Sequence, residues 1–304
     1  MQAKPFLKWA GGKSRLIKDI EKSIPKEFKE IEFTYVEPFL GSGALLLWML
    51  NNYPNIKRAI VNDINFDLIN VYKVISSQPL ELIIILELFQ KEFYSFEFNI
   101  EERKSYYISK RKLFNSRTAD NITQAAMFMF LNRTCFNGLY RVNKRNEFNV
   151  PLGSYIKPLI CDKENILEVS KVLQTVEILC GDYTRTLKGI NGKVLYYLDP
   201  PYKPLNKTSF FNTYANNIFD DDEQIRLRDF CIELSDMKYN WILSNSDVKI
   251  KDSENTFFDD LYDDFIISRV KAKRYINSNS KKRGDLNELL IINNVEEDIV
   301  LVHN

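Results

Sequence analysis

This sequence of 304 residues contains one histidine, His303, the next-to-last residue. Histidine general-base chemistry, Ser–His or Cys–His nucleophiles and histidine metal sites are thereby set aside. Cysteine is nearly as scarce. Cys135, Cys161, Cys180 and Cys231 form no C-x-x-C pair, and none follows a proline, so thiolate metal sites and Pro-Cys nucleophiles have no basis. The expectation is no metal. The most apolar run, Leu82 to Leu86, ends at Glu87, far short of the roughly 20 residues of a membrane span. No signal peptide is evident, so the chain reads as soluble and cytoplasmic. Net charge is small as well, with 42 Lys and Arg against 41 Asp and Glu.

What is present is a normal folded composition, 45% hydrophobic and 27% charged, enough for one large domain or two ordinary ones. The charge is unevenly spread. Ten Lys or Arg face only Asp120 between Arg103 and Arg145, and seven face no acid between Arg269 and Arg283. Local basic stretches in a near-neutral chain suit a polyanion-binding face, although a solvated surface has the same composition.

Apolar runs predict strands over Thr34–Glu37, Arg58–Asp63, Val176–Asp182, Lys193–Leu198 and Asn240–Ser246. Phe265–Val270 and Leu289–Asn293 read as the last strands. Helical spacing is seen near Ser14–Lys22, over Ala44–Leu50, from Phe66 to about Glu92 with a break at Pro79, over Thr123–Leu131 and over Asp222–Leu234. Strands alternating with helices imply an α/β fold on an open, mainly parallel sheet. More than a hundred residues separate the second strand from the third, where a crossover needs a dozen or so. An inserted unit over 66–165 follows, with 1–65 and 166–304 forming the rest.

Five of these strands end in polar residues: Glu37-Pro38, Asp63, Asp182, Asp199 and Ser244-Asn245. In an open parallel sheet the carboxyl ends of the strands form the ligand crevice. At the fourth, Tyr196-Tyr197-Leu198-Asp199-Pro200-Pro201-Tyr202 places a carboxylate, a proline-restricted carbonyl and an aromatic ring together. Asp199 and the Pro200 carbonyl can accept both N–H groups of an exocyclic amine, with Tyr202 stacked on its heterocycle. The plainer alternative is a Pro-Pro turn with a solvated acid.

The first strand runs into Pro38-Phe39-Leu40-Gly41-Ser42-Gly43, and Asp63 follows twenty residues after Gly43. That spacing suits a carboxylate on ribose hydroxyls, but Leu46 replaces the third glycine of the dinucleotide fingerprint. A nucleoside without phosphates fits better. Gly12-Lys13-Ser14 invites a P-loop reading, which fails because Leu7 stands where the motif needs glycine. Trp9 and Lys13 can still offer a flat surface and a cation to a carboxylate. Between Asn132 and Gly153 a hairpin or extended loop is rich in Arg, Asn and aromatic residues, which read and wedge between bases.

Lys8-Trp9-Ala10-Gly11-Gly12-Lys13, Glu37-Pro38-Phe39-Leu40-Gly41-Ser42-Gly43, Asn62-Asp63, Asp199-Pro200-Pro201-Tyr202 and Leu243-Ser244-Asn245 occur in that order. Together they resemble the Dam-type (alpha-group) DNA adenine-N6 methyltransferases, including those of DpnII-like restriction systems. Phe136 to Asn143 with Phe148 to Pro151 resembles their target-recognition hairpin, and Arg274 to Leu290 their basic loop and final strand. The resemblance implies a seven-stranded Rossmann-like domain with an inserted, mainly helical DNA-recognition domain. It implies S-adenosylmethionine as donor, S-adenosylhomocysteine as product, and double-stranded DNA as partner. A cognate restriction endonuclease, a monomeric state and a GATC site are further expectations.

Carried over by position, Trp9, Ala10, Gly11, Lys13, Glu37, Pro38, Phe39, Gly41, Ser42, Gly43, Asp63, Ile64, Asp182, Tyr183 and Asp199 would meet the donor. Lys13 would take its methionine carboxylate, Asp63 its ribose, and Asp182-Tyr183 its adenine. Asp199, Pro200 and Tyr202 would be catalytic. Lys8, Arg133, Phe136, Asn137, Leu139, Arg141, Asn143, Pro151, Tyr155, Arg274, Lys281, Lys282 and Arg283 would meet DNA. Cytosine-N4 methylation is the nearest rival, although that chemistry usually carries Ser at the position of Asp199. RNA or protein-glutamine methylation and a catalytically silent DNA-binding protein are the others.

Overall fold

A computed structural model describes residues 2–9, 11–13, 16–203, 219–273 and 285–293. Its centre is a seven-stranded sheet of β1 (Phe33–Glu37), β2 (Ile56–Asp63), β3 (Val176–Cys180), β4 (Val194–Leu198), β5 (Asn240–Ser246), β6 (Ile266–Lys273) and β7 (Asp285–Ile292). The strand order is β3-β2-β1-β4-β5-β7-β6. The first five strands pair in parallel, whereas β7 runs antiparallel to both β5 and β6. From β1 the chain builds outward through β2 and β3, then returns to lay β4 against the other side of β1. The reversal point therefore lies between β1 and β4, where an open α/β sheet has its crevice. Register across it pairs Val36 with Tyr196. Glu37 and Asp199 thus leave neighbouring strands at the same end. β1 and β4 are buried throughout, as strands covered on both faces must be.

Nine helices are seen among the described residues: α1 (Ile17–Ser23), α2 (Ala44–Asn52), α3 (Phe66–Ser77), α4 (Pro79–Ser95), α5 (Ile100–Ser116), α6 (Asn121–Thr134), α7 (Lys163–Leu173), α8 (Asp221–Asp236) and α9 (Phe257–Leu261). Pro79 opens α4, where its missing N–H has no intrahelical partner to lose. Asn65, Asn99, Asp120, Asp162 and Asp220 cap α3, α5, α6, α7 and α8 with side-chain oxygens. α5 and α7 go beyond the sequence expectation. α5 is polar overall, exposes Ile100 and Leu113, and buries only Arg103, Tyr107 and Phe114, so apolar periodicity gives it little signal. α7 buries Ile166, Val169 and Leu173 at helical spacing, a pattern that was legible. The expected strand over Phe265–Val270 continues to Lys273.

Two apolar cores cover the sheet. On one face α8 and α9 pack Leu227, Phe230, Leu234 and Phe258 against Tyr196, Leu198, Trp241 and Leu243. On the other, the core of α2, α3 and α7 continues without a break into α4, α5 and α6. α3, the first helix of the 66–165 stretch, packs on β2, β3, α6 and α7. No single helix among the described residues is long and apolar enough to cross a membrane.

Candidate active site

Asp199 is the first residue beyond β4. Its Oδ1 receives Lys13 Nζ at 2.8 Å and the Ser244 hydroxyl at 3.0 Å. Tyr197 OH lies 3.0 Å from Ser244 Oγ, completing a chain of polar contacts that crosses from β4 to β5 and back. Burial pushes the Asp199 carboxyl above its ordinary range, and the Lys13 charge and Ser244 bond oppose that push. Lys13 is buried, and its ammonium also donates to the Gly11 carbonyl at 3.0 Å and lies 4.3 Å from the centre of the Tyr202 ring. Tyr202 donates its hydroxyl to Glu288 Oε2 at 2.6 Å.

Two fully buried amides hold the backbone around Tyr202. Gln224 Nε2 donates to the Pro201 carbonyl at 3.3 Å, and the Lys203 N–H donates to Asn245 Oδ1 at 3.3 Å. Asn245 Nδ2 donates to Gln224 Oε1 at 3.1 Å and joins the pair. Ser246 Oγ donates to the Lys203 carbonyl at 2.9 Å. The loop that carries the carboxylate and the ring is therefore fixed from the buried side.

Beside it, the loop after β1 turns through Gly41 at φ +50° and Gly43 at φ +62° into α2. A Cβ on Gly43 would stand 2.5 Å from the Tyr72 hydroxyl, which donates to the Gly41 carbonyl at 3.2 Å. Glycine is required there both by backbone conformation and by space. Asp63 binds the loop: its Oδ2 accepts the Gly41 N–H at 3.0 Å and its Oδ1 the Asn65 N–H at 2.9 Å. Burial raises the Asp63 carboxyl, and these N–H groups counteract it. Asn62 donates to the carbonyls of Pro38 at 3.1 Å and Gly181 at 2.9 Å, while its own Oδ1 is buried without a partner. Glu37 is buried, accepts the Tyr35 hydroxyl at 2.8 Å, and is pushed up to about 8 by burial.

Aromatic and apolar groups flank this loop. The Phe39 ring lies 5.2 Å from Tyr183, and Trp9 comes within 3.2 Å of the place a Gly41 Cβ would take. Ile64 is 58% exposed. Asp182 receives Arg226 at 2.6 Å and Thr184, and that pairing holds its carboxyl down at about 2. A cation beside a glycine loop, a carboxylate clasping the loop and flanking aromatic surface fit a phosphate-free nucleoside carrying a carboxylate. Ala10 lies outside the described residues.

The Asn132–Gly153 loop is an irregular hairpin. Its ladder is reduced to the bridges Cys135–Leu152 and Val142–Phe148, with a tight turn at Phe136–Gly138 that holds Asn137 at φ +54°. Phe136, Asn137, Leu139 and Pro151 are exposed along it. Arg141 donates through Nε to Asn149 Oδ1 at 2.6 Å. Lys8 Nζ sits 3.7 Å over the Tyr155 ring. Asn132, buried at the hairpin's base, accepts the Lys8 N–H at 2.8 Å and donates to the carbonyls of Lys8 and Gly138 at 2.7 and 3.0 Å. Tyr140 stacks on Trp9 at 5.5 Å, so the hairpin adjoins the chain segment that carries Lys8 and Trp9. Between α5 and the hairpin a polar cleft of about 480 Å³ is lined by Arg111, Lys112, Asn115, Asn143 and Asn149.

Two expected DNA contacts are placed differently from the rest. Arg133 turns inward and donates to the Phe6 carbonyl at 2.9 Å. Asn143 caps its own turn, with Oδ1 accepting the N–H groups of Arg145 and Glu147. Arg274, Lys281, Lys282 and Arg283 lie outside the described residues. Sequence reasoning did not single out Gln224, Tyr197, Asn132 or Glu288. Glu288 carried a usable signal, being an acid immediately before the apolar run Leu289–Ile292; Gln224 carried none.

The family described as D12 class N6 adenine-specific DNA methyltransferase matches residues 9–276. The type II methyltransferase M.MjaIII of Methanocaldococcus jannaschii is 46% identical over 96% of this chain and 100% of its own length. A DNA adenine methylase of Haemophilus influenzae is 34% identical, covering 96% and 94%. One solved structure, an rRNA methyltransferase of Streptomyces viridochromogenes, overlaps at TM-score 0.35 with 9% identity over 93% of this chain and 84% of that one. That overlap is too slight to carry weight, and the fold rests on the strand order above.

Proposed function

The chain belongs to the D12 class of N6 adenine-specific DNA methyltransferases, and from that premise we propose that Asp199 and the Pro200 carbonyl receive the amine of an adenine flipped out of duplex DNA, with S-adenosylmethionine as methyl donor. The observation that carries this reading is the Asp199 centre. A buried carboxylate, held by Lys13 and Ser244, stands at the sheet's reversal point beside the Tyr202 ring.

S-adenosylmethionine, when bound, supplies an electrophilic methyl group. The chain's residues do the rest. Lys13 meets the donor's carboxylate, Asp63 its ribose hydroxyls, and Phe39 and Tyr183 the flanks of its adenine. Trp9, Gly11, Glu37, Pro38, Gly41, Ser42, Gly43, Ile64 and Asp182 complete that lining. The target amine is a poor nucleophile because its lone pair is delocalised into the ring. N–H bonds to Asp199 and to the Pro200 carbonyl favour a pyramidal nitrogen and meet the positive charge that develops on it. Positioning does most of the work, so the reaction needs no histidine. A paired base hides its amine, and Tyr202 stacks on the base once it is extruded.

Residues 66–165 form the recognition unit in this reading. Arg141 reads a guanine, with Asn149 orienting its guanidinium. Phe136 and Asn137 fill the gap left by the flipped base. Leu139, Pro151, Tyr155 and Lys8 lie against neighbouring bases, and the hairpin's likeness to its family supports GATC as the site. A cognate restriction endonuclease and a cytoplasmic monomer complete the proposal; the type II names of relatives favour the former.

The test is transfer of labelled methyl from S-adenosylmethionine to unmodified DNA, followed by nucleoside analysis and site mapping. N6-methyladenine confined to GATC is expected. Methylation at a different short palindrome would overturn the site, N4-methylcytosine would overturn the target base, and no transfer with donor bound would overturn the reaction on DNA in favour of an RNA or protein-glutamine substrate or a catalytically silent binder.

A further inference from the structure

We propose that Glu288 is a positioning residue for the reaction, fixing the plane of the Tyr202 ring on which the target base stacks. This rests on the stacking role given to Tyr202 above. Three observations converge. The Tyr202 hydroxyl donates to Glu288 Oε2 at 2.6 Å, the short distance of a charge-assisted bond. Glu288 sits on β7 directly opposite Ser246 of β5, and Ser246 bonds the Lys203 carbonyl next to Tyr202. The backbone on either side of Tyr202 is anchored to the buried Gln224 and Asn245. With both flanks of the residue and the tip of its ring held, the ring has one orientation, and Lys13 lies over one of its faces.

The placement of an acid here is unfavourable on electrostatic grounds. Glu288 acts on Asp199 as a like charge and contributes to raising its carboxyl. An apolar residue at this position of β7 would avoid that repulsion. The hydrogen bond to Tyr202 gives the acid a purpose. A ring free to rotate would still bind DNA, but would present the amine to Asp199 in fewer productive poses. Misplacement of this kind lowers turnover rather than affinity.

The experiment compares the full-length wild type with E288A, E288Q, Y202A and the double variant E288A/Y202F. It measures kcat, donor affinity, DNA affinity, thermal stability and the emission of 2-aminopurine at the mapped target position. E288A is expected to lose about 10- to 100-fold in kcat with donor and DNA affinity within about 3-fold of wild type. E288Q keeps an acceptor for the hydroxyl and restores both kcat and the wild-type emission. It also removes a like charge from Asp199, so the acid limb of its pH profile moves to lower pH. With Y202F measured alongside, E288A/Y202F is no worse than the poorer of E288A and Y202F alone. Wild-type kcat and emission in E288A, alongside a defective Y202A, would overturn the inference and leave the stacking role standing. Donor affinity falling in parallel with kcat in both Glu288 variants would also overturn it, as a plain structural role. If Y202A itself matches wild type, the stacking reading fails and this inference falls with it.

Discussion

Asp199 is under two opposed influences, burial that favours its neutral form and a lysine that favours the charged one. As an acceptor of the amine it must be ionised, so turnover should fall as pH drops through a point above the usual carboxylate range. Asp199→Ala should abolish methyl transfer, by a factor of about a thousand or more, while donor and DNA binding persist; single-turnover assays and titrations separate the two. Glu37 contributes on the side of stability. In the unfolded chain it releases its proton near the ordinary 4.5, whereas the folded protein holds it to about 8. Across that window the folded state binds more protons, so its stability declines as pH rises, by roughly a few kcal/mol in all. Glu37→Gln should flatten the decline, and melting temperatures of the donor-free protein from pH 5 to 8 would show it. The polarity of these strand ends was plain in the sequence. Their pairing partners were not, because Lys13 and Ser244 reach Asp199 from 186 and 45 residues away, and only the strand order brings them together.

The glycine loop and the Asn132–Gly153 hairpin act as elements. Gly43→Ala forces a left-handed backbone onto a residue with a side chain and drives that side chain into Tyr72. It should cost about 1–3 kcal/mol of stability and weaken donor binding, and adding Tyr72→Phe should recover part of both. Thermal melts and donor titration of the single and double variants test this. In the hairpin, Arg141→Ala should relax sequence preference by about 1–3 kcal/mol at one base pair, not weaken binding uniformly. Methylation of near-cognate duplexes is the measurement, and unchanged discrimination would remove Arg141 from base reading. β1, β4 and β5 were legible to within a few residues because burial on both faces leaves apolar runs. α5 was not, since a helix that is polar overall carries little periodic signal. The hairpin was legible as a loop rich in Arg, Asn and aromatic groups, but its irregular ladder depends on Asn132 and the turn at Asn137, which composition does not announce.

At the scale of the whole molecule, the sheet and the inserted helices share one apolar core. The excess length between β2 and β3 predicts an inserted unit, yet nothing in that length told that α3 packs on β2 and β3 as well as on α6 and α7. Residues 66–165 expressed alone should therefore show no cooperative melt by circular dichroism, because the buried face of α3 would be left against water. Within the stretch proposed as the recognition unit, the hairpin has a base of its own. The hairpin closes on itself at the Cys135–Leu152 bridge, where the Phe136 N–H meets the Pro151 carbonyl at 2.9 Å and the Gly153 N–H meets Thr134 at 2.8 Å. Residues 136–151 enter and leave the body through one narrow neck. On the proposed reading this segment carries target recognition, so exchanging its exposed residues Phe136, Asn137, Leu139 and Pro151 should change the target site, whereas Phe148 and Val150 belong to the core and have to be kept.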